Sequence, residues 1–139
     1  MNVVVDTSVW SLALQRGAPR GTAPERELAE LIREGRVLLM GPVRQEILSG
    51  VRDPTQFKRL RDRLRAFPDV SLESRDHEEA AACFNRCRAK GVQGSNTDFL
   101  LCAVAMRRGA ALLTTDKDFD RFARILRIKL HGPRPGLSA

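Results

Sequence analysis

Four acidic residues that lie far apart in the sequence could act together on a substrate. They are Asp6, Glu46, Asp98 and Asp116. Carboxylate oxygens are the ligands that hard divalent cations such as Mg²⁺ prefer. Such a cation can activate a water molecule as a nucleophile and stabilise the charge that develops on a phosphodiester oxygen. If the fold brings the four acids together, the sequence predicts a metal-dependent hydrolytic site.

Each acid also has a structural explanation when it is taken alone. Asp6 and Asp116 could start turns, because aspartate is common where strands end. Asp98 could stabilise the first turn of a helix through its negative charge. Glu46 could occupy a solvated helix position. The functional interpretation depends on the combination, because all four acids follow or enter elements that point to one end of a single sheet.

Two of the acids come directly after predicted strands. The run "VVV" precedes Asp6, and the run "AALLTT" precedes Asp116. Continuous apolar runs of this kind are typical of strands buried on both faces, as in parallel sheets. Ligands of an open parallel sheet bind at the carboxyl ends of its strands. We therefore expect both carboxylates at the same edge of the sheet.

Helical patterns separate the predicted strands. They occur in the segments "ERELAELIREG", "PVRQEILSG", "DPTQFKRLRDRLRAF", "DHEEAAACFNRCRAKG", "SNTDFLLCAVAMRRG" and "KDFDRFARI". Gly35 and Gly50 are expected to end the first two helices, and Ser95 or Thr97 to cap the fifth. The turn-rich segment Arg16–Glu25 is expected to be an exposed loop. Further short strands are predicted in "RVLLMG", "DVSLE" and "LRIKL", so the alternation indicates an α/β fold with a largely parallel sheet.

The length and composition are those of one globular domain. The chain has 139 residues, of which 42% are apolar and 5% aromatic. Its longest apolar runs are too short to cross a bilayer, and the N-terminal segment lacks the pattern of a signal peptide. Cys83, Cys87 and Cys102 are an odd number of cysteines and are expected to be reduced. We therefore expect a soluble, cytoplasmic single domain over residues 1–139, with a frayed tail after about residue 131.

The charge of the chain favours a polyanionic partner. The formal net charge is +7, and such a charge attracts nucleic acids or acidic proteins over long distances. A solvated helix face is the default explanation for clustered basic residues. Contact with RNA phosphates is the functional alternative, and it predicts binding that weakens steeply with salt. The candidates for such contacts are Lys58, Arg59, Arg61, Arg107 and Arg108.

Three parts of the sequence are specific in their combined order and spacing. They are "VVVDTSVW" at the start, Glu46 in a mid-chain helix and "GSNTDFLLCAVAMRRGAALLTTDKDF" near the end. Together they resemble the PIN-domain ribonucleases, in particular the VapC toxins of bacterial type II toxin–antitoxin pairs. The resemblance extends from Val3 to Leu130. It implies a PIN-like three-layer α/β/α sandwich with a central, mostly parallel sheet.

The resemblance also implies an activity and a set of partners. The activity is Mg²⁺- or Mn²⁺-dependent hydrolysis of single-stranded or looped RNA by an endoribonuclease. The expected partners are the RNA substrate, a small antitoxin protein that neutralises the toxin, and a second copy of the chain in a homodimer. No membrane contact is implied.

The resemblance assigns roles to individual residues by position. Asp6, Glu46, Asp98 and Asp116 match the metal-binding acids of the family, and no acid of this set is missing. Asp118 matches an additional acid that many members have, which is expected to bind a second metal or to support the first site. The hydroxyl groups beside the acids match positions that the family uses to orient carboxylates or water, namely Thr7, Ser8 and Thr114.

Other functions remain open at this point. A PIN-like module could bind RNA or protein without catalysis, its acids docking a basic antitoxin segment. A haloacid-dehalogenase-type phosphatase also begins with a strand ending in aspartate, but it needs a second acid two residues later, where this chain has Ser8. A zinc site at His77, Cys83 and Cys87 lacks an evident fourth ligand, so packing of small residues explains these cysteines better.

Overall fold

Three short parallel strands form the centre of the fold in residues 1–14 and 21–135, which are the residues that the structure, a computed structural model, describes. β1 (Val3–Val5) is the middle strand, between β2 (Val37–Leu38) and β3 (Ala111–Leu113). Both neighbours pair with β1 in parallel. All side chains of β1 and β3 are buried, so both faces of the sheet are covered.

Helices provide that cover and connect the strands. In the described residues they are α1 (Thr7–Leu14), α2 (Ala23–Arg33), α3 (Gly41–Leu48), α4 (Pro54–Leu64), α5 (Ser74–Ala89), α6 (Asn96–Arg107) and α7 (Asp118–Ala123). α6 is the most deeply buried, because every residue from Phe99 to Ala105 lies in the core. The predicted α/β fold with a parallel sheet is confirmed. Of the predicted loop Arg16–Glu25, residues 16–20 lie outside the described residues, and α2 already begins at Ala23.

The ends of several helices follow the sequence prediction. Gly35 and Gly50 lie just beyond α2 and α3 with φ angles of +68° and +88°, a region that side chains other than glycine rarely adopt. Ser95, not Thr97, caps α6, since its hydroxyl oxygen accepts a hydrogen bond from the backbone N–H of Asp98 at 3.1 Å. The choice that the sequence left open is thereby decided.

The prediction of full strands in "DVSLE" and "LRIKL" is wrong. Each is reduced to a single bridge, Asp69 with Leu39 and Leu130 with Leu112. The first cannot extend because β2 is short and its chain turns into α3 at Gly41. The second ends before Pro133, which has no backbone N–H to donate. The sheet is therefore narrower than the sequence indicated.

The cysteines belong to the core. Cys83, Cys87 and Cys102 are free thiols and are buried, as expected for reduced cysteines. Burial raises the pKa of the Cys83 thiol to about 11, which leaves it protonated and unreactive at neutral pH. Their position in the core agrees with packing of small residues as the explanation of these cysteines.

The segment after residue 131 is anchored up to Arg134. The buried carboxylate of Glu27 on α2 contacts His131 Nε2 at 2.9 Å and accepts a hydrogen bond from Arg134 Nε at 2.8 Å. Arg134 also pairs with Glu34 at 2.9 Å. Fraying was predicted from about residue 131, but these contacts hold the segment on α2, and residues 136–139 lie outside the described part. No helix in the described ranges is both long and apolar enough to cross a membrane.

Candidate active site

Asp6 lies at the carboxyl end of β1 and is held there by its backbone. Its N–H donates to the carbonyl of Leu113 on β3 at 2.9 Å, and its carbonyl accepts from the N–H of Val9 at 3.1 Å. The first contact ties Asp6 to the neighbouring strand, and the second begins α1. The side chain is only 7% exposed, so the sequence places a carboxylate at the rim of the sheet with little freedom to move.

Two hydroxyl groups fix the orientation of the Asp6 side chain. Ser8 Oγ and Thr114 Oγ1 each donate a hydrogen bond to Asp6 Oδ2 at 2.8 Å. The hydroxyl oxygen of Ser8 accepts a hydrogen bond from the backbone N–H of Thr115 at 3.1 Å. The hydroxyl oxygen of Thr114 accepts one from the backbone N–H of Asp116 at 3.0 Å. Each hydroxyl therefore joins Asp6 to the chain that follows β3. No described residue donates to the other carboxylate oxygen of Asp6, which remains available to a cation.

Asp98 combines a structural role with membership of the acid cluster. Its Oδ2 accepts a hydrogen bond from the backbone N–H of Ser95 at 3.0 Å, which completes a capping box at the start of α6. Burial raises the pKa of Asp98, and the negative charges of Asp6 and Asp116 raise this pKa further, against the hydrogen bonds from Ser95. The three carboxylates therefore lie close enough for their charges to interact.

Asp116 and Asp118 follow β3 at the same edge. Asp116 Oδ1 accepts a hydrogen bond from the N–H of Asp118 at 2.9 Å, and its carbonyl accepts from the N–H of Phe119 at the start of α7. Asp118 forms an ion pair with Arg121 at 2.7 Å. Among the described residues Asp118 thus has an ion-pair partner, whereas Asp116 has none. The signal that could have revealed the Asp118–Arg121 pair is its i,i+3 spacing in a helix.

Glu46 reaches the edge of the sheet from α3. Its carboxylate Oε2 accepts a hydrogen bond from Thr7 Oγ1 at 2.8 Å. Thr7 directly follows Asp6, so this bond brings the side chain of an exposed helical glutamate next to the first acid. The predicted hydroxyl residues thus contact acids of the predicted set.

Comparison with known proteins decides the family. The family model of the PIN domain matches residues 3–125. The chain belongs to the PIN-domain family. The predicted family is confirmed, and the matched range contains all the acids described above.

Two relatives are similar to this PIN domain over nearly their whole length. Ribonuclease VapC11 of Mycobacterium tuberculosis and a VapC ribonuclease of Mycobacterium bovis are each 29% identical to it over 131 residues. Each alignment covers 91% of the chain and 96% of the relative.

Solved structures share the fold. VapBC2 from Rickettsia felis, solved bound to a DNA fragment from its promoter, superposes with a TM-score of 0.76 at 18% identity, covering 94% of this chain and 98% of the other. FitAcB from Neisseria gonorrhoeae gives a TM-score of 0.74 at 18% identity, with 94% and 97% covered. The arrangement of strands and helices in this PIN domain is therefore shared with these solved structures.

The acid cluster of the PIN domain suits a hard cation by its chemistry. Its members offer oxygen ligands only, and the pKa of Asp98 is raised mainly by burial and further by the charges of Asp6 and Asp116. In the described residues they are not gathered into a group of three at metal-binding distance. The fit to a divalent metal therefore rests on the chemistry of the donors, which are all carboxylate oxygens.

The predicted basic residues divide into two groups. Lys58 and Arg59 are exposed on α4, and Arg61 pairs with its neighbour Asp62 at 3.1 Å. Arg107 and Arg108 lie at the end of α6. Both donate hydrogen bonds to Asp76, a carboxylate on α5 that is completely buried.

Asp76 explains the positions of these two arginines. Its carboxylate is 0% exposed, and Arg107 and Arg108 reach it at 2.5 and 2.9 Å. The hydrogen bond from Arg108 is the largest of the effects that lower the pKa of Asp76, so the Asp76 carboxylate remains charged. A buried charge requires such partners. Arg107 and Arg108 therefore support a buried carboxylate, a role that their separation from Asp76 in the sequence hid. Their contact with RNA stays a prediction.

Proposed function

We propose that this PIN-domain protein is a divalent-metal-dependent endoribonuclease that acts as the toxin of a toxin–antitoxin pair. The observation that supports the proposal is that Asp6 and Asp116 follow the neighbouring strands β1 and β3 at one edge of the sheet, and that both charges act on Asp98 at the start of α6. Relatives named as VapC ribonucleases support the reaction class. RNA is the proposed substrate, and the cytoplasm is the proposed location.

The metal of the proposed site is Mg²⁺, with Mn²⁺ as a substitute. PIN-domain ribonucleases generally depend on a divalent metal. The residues that would hold it are Asp6, Glu46, Asp98 and Asp116, with Asp118 as an additional ligand. When bound, such a cation supplies electrophilic assistance and a water nucleophile for phosphodiester hydrolysis.

The other residues of the site prepare the carboxylates. Ser8 and Thr114 hold Asp6 through one oxygen and leave the second free. Ser95 holds Asp98 in the same way, with its backbone N–H on Oδ2. Each acid is thereby fixed by one oxygen before a ligand arrives, which reduces the loss of conformational freedom on binding.

Cleavage of RNA in the presence and absence of metal tests the proposal. Wild-type protein should cut a single-stranded RNA with Mg²⁺ or Mn²⁺ and should be inactive in EDTA. Asp98→Asn should retain the fold and lose activity by about 100-fold or more, because it removes an anionic ligand. Asp62→Asn, an exposed acid on α4, is the matched control and should cut normally. Wild-type activity in Asp98→Asn would refute the assignment.

The same assay separates the alternatives. A non-catalytic module would bind the RNA but leave it intact in every metal. The phosphatase alternative has no structural support, since the position that would carry its second acid is Ser8, which donates to Asp6. A generic phosphomonoester should therefore not be hydrolysed.

Neutralisation by an antitoxin is the second part of the proposal. The similar structures include complexes named VapBC. We propose that a short protein encoded next to this chain binds it, and that the chain itself forms a homodimer. Co-expression should yield one complex that no longer cuts RNA, and the mass of the free toxin in solution should be that of a dimer.

A further inference from the structure

We propose that the surface around Phe84, at the junction of α5 and α6, is a subsite that binds two nucleobases of the RNA and selects the sequence that is cut. The proposal rests on the proposed function, since it names a specificity site for the same substrate. It concerns a part of the molecule to which neither the acid cluster nor the ion pairs contribute.

Two clefts meet at Phe84. The first has a volume of about 390 Å³ and lies between α5 and α6, with the polar side chains of His77, Asn85 and Asn96 in its lining. The second has a volume of about 260 Å³ and is lined in part by Arg88 and Gln93. Phe84 lines both. The clefts are therefore neighbours on either side of one aromatic ring, and the larger one has the size of a small-ligand pocket.

The ring of Phe84 is held in place but is not fully covered. It packs edge-on against Phe99, with ring centroids 5.5 Å apart and an interplanar angle of 73°. Phe99 is completely buried, so it gives Phe84 a rigid support, while Phe84 itself is only partly buried. An aromatic ring fixed at the surface is the feature on which single-stranded RNA bases stack.

The polar residues of the clefts are free to bind. Within residues 1–14 and 21–135, no hydrogen bond or ion pair engages the side chains of Asn85, Arg88, Gln93 or Asn96. By contrast Arg86, on the same helix, donates to the carbonyl of Ile125. Amide side chains can both donate to and accept from the edges of bases, and a free arginine can bind phosphate or stack on a base. These are the groups that RNA recognition uses.

The subsite lies within reach of the candidate active site. Asn96 belongs to the same first turn of α6 as Asp98. Asn96 and Thr97 line the cleft and Asp98 follows them directly, so the cleft and this acid lie at the same N-terminal end of α6. A single strand of RNA that places a phosphate at the acids can extend past this end to Phe84. The net charge of +7 and the free Arg88 favour RNA as the occupant of the clefts. A protein surface with few acidic residues would fit this charge less well.

Kinetics with a random single-stranded RNA library test the subsite. Products of wild type and Phe84→Ala are sequenced, and the RNA cut best by wild type is then used for measurement. Phe84→Ala should raise KM about tenfold or more and leave kcat nearly unchanged, because it removes stacking but no group at the acids. It should also relax the base preference at the two positions that wild type selects. Phe84→Tyr keeps the stacking surface and should restore both properties.

One control variant and two further tests make the result specific. Phe57→Ala removes a partly buried phenylalanine from α4 and should not alter the base preference. Asn96→Ala, a change at the helix surface, should relax the preference at one position without affecting the melting temperature. In the best substrate, an abasic nucleotide at a selected position should weaken wild type but have little further effect on Phe84→Ala.

The outcomes are distinct. Unchanged KM and base preference in Phe84→Ala would overturn the subsite. A change in the oligomeric state of Phe84→Ala without a change in base preference would also overturn it, because the cleft would then be a protein interface. If wild type cuts no RNA, the proposed function fails, and binding of the library in EDTA still tests the subsite, because wild type should then bind at least about tenfold more tightly than Phe84→Ala.

Discussion

At the scale of single residues, Asp6 is the best-defined member of the acid cluster. One of its oxygens receives two hydroxyl donors, from Ser8 and Thr114, and the other has no donor among the described residues. The two hydroxyls are anchored in turn by backbone N–H groups after β3. The carboxylate is thus oriented by groups that do not themselves need to contact substrate.

Thr114→Val tests this orientation. The change keeps the shape of the side chain but removes the donor to Asp6 and the acceptor for the N–H of Asp116. The affinity for Mg²⁺ or Mn²⁺ should fall by about 10- to 100-fold, as is usual when a residue supporting a metal ligand is lost. Isothermal titration calorimetry measures it. Thr114→Ser, which retains the hydroxyl, should bind nearly as wild type, and equal affinity of the valine variant would exclude the role.

At the scale of elements, α6 joins stability to the site. Its capping box uses the carboxylate of Asp98, and its interior forms the centre of the core from Phe99 to Ala105. The position of Asp98 therefore follows from where the helix begins. Ser95 determines that point, since it is the residue at the N-cap.

Ser95→Ala should destabilise the protein by about 1 kcal/mol, the usual cost of losing an N-cap hydroxyl. Urea denaturation gives the free energy of unfolding. Thr97→Ala, in the same turn but without a capping bond, is the matched control and should change this free energy by less than about 0.5 kcal/mol. Equal effects of the two substitutions would mean that Ser95 does not fix the start of α6.

The sequence predicted elements better than the contacts between them. The apolar runs before Asp6 and Asp116 indicated buried parallel strands, and that alone placed both acids at one edge. The partners of these acids could not be read in the same way. Ser8 and Thr114 meet although more than a hundred residues separate them, and Asp76 draws Arg107 and Arg108 from a different helix. Pairings of this kind depend on tertiary packing, for which a single sequence carries no local signal.

At the scale of the whole molecule, the C-terminal end of the described chain is joined to α2. Glu27 is 4% exposed and is contacted by His131 and Arg134. Burial raises the pKa of Glu27, but the hydrogen bonds from Arg134 and His131 outweigh it and lower the pKa to about 2. The charged form is therefore favoured in the folded protein.

This pKa predicts how stability depends on pH. A carboxyl whose pKa is lower in the folded state contributes stability above its ordinary value of 4.5 and loses it as the pH falls from there to about 2. The contribution is up to about 3 kcal/mol. The free energy of unfolding of wild type should therefore fall over this interval. Glu27→Gln should have a lower free energy of unfolding than wild type at pH 7. Between pH 4.5 and about 2 this free energy should change less with pH than that of wild type. A pH profile identical to that of wild type would contradict the assignment.

The contact between Glu27 and Arg134 has a genetic consequence. A stop codon just after Leu130 would remove only a few residues and none of the candidate ligands, yet it would leave a buried carboxylate without its cation. We expect such an allele to lose toxicity through misfolding and proteolysis, and a compensating change of Glu27 to an uncharged residue to recover it. If the chain is the proposed toxin, suppressors found in a screen for restored growth arrest should therefore map to α2 and not to the acid cluster.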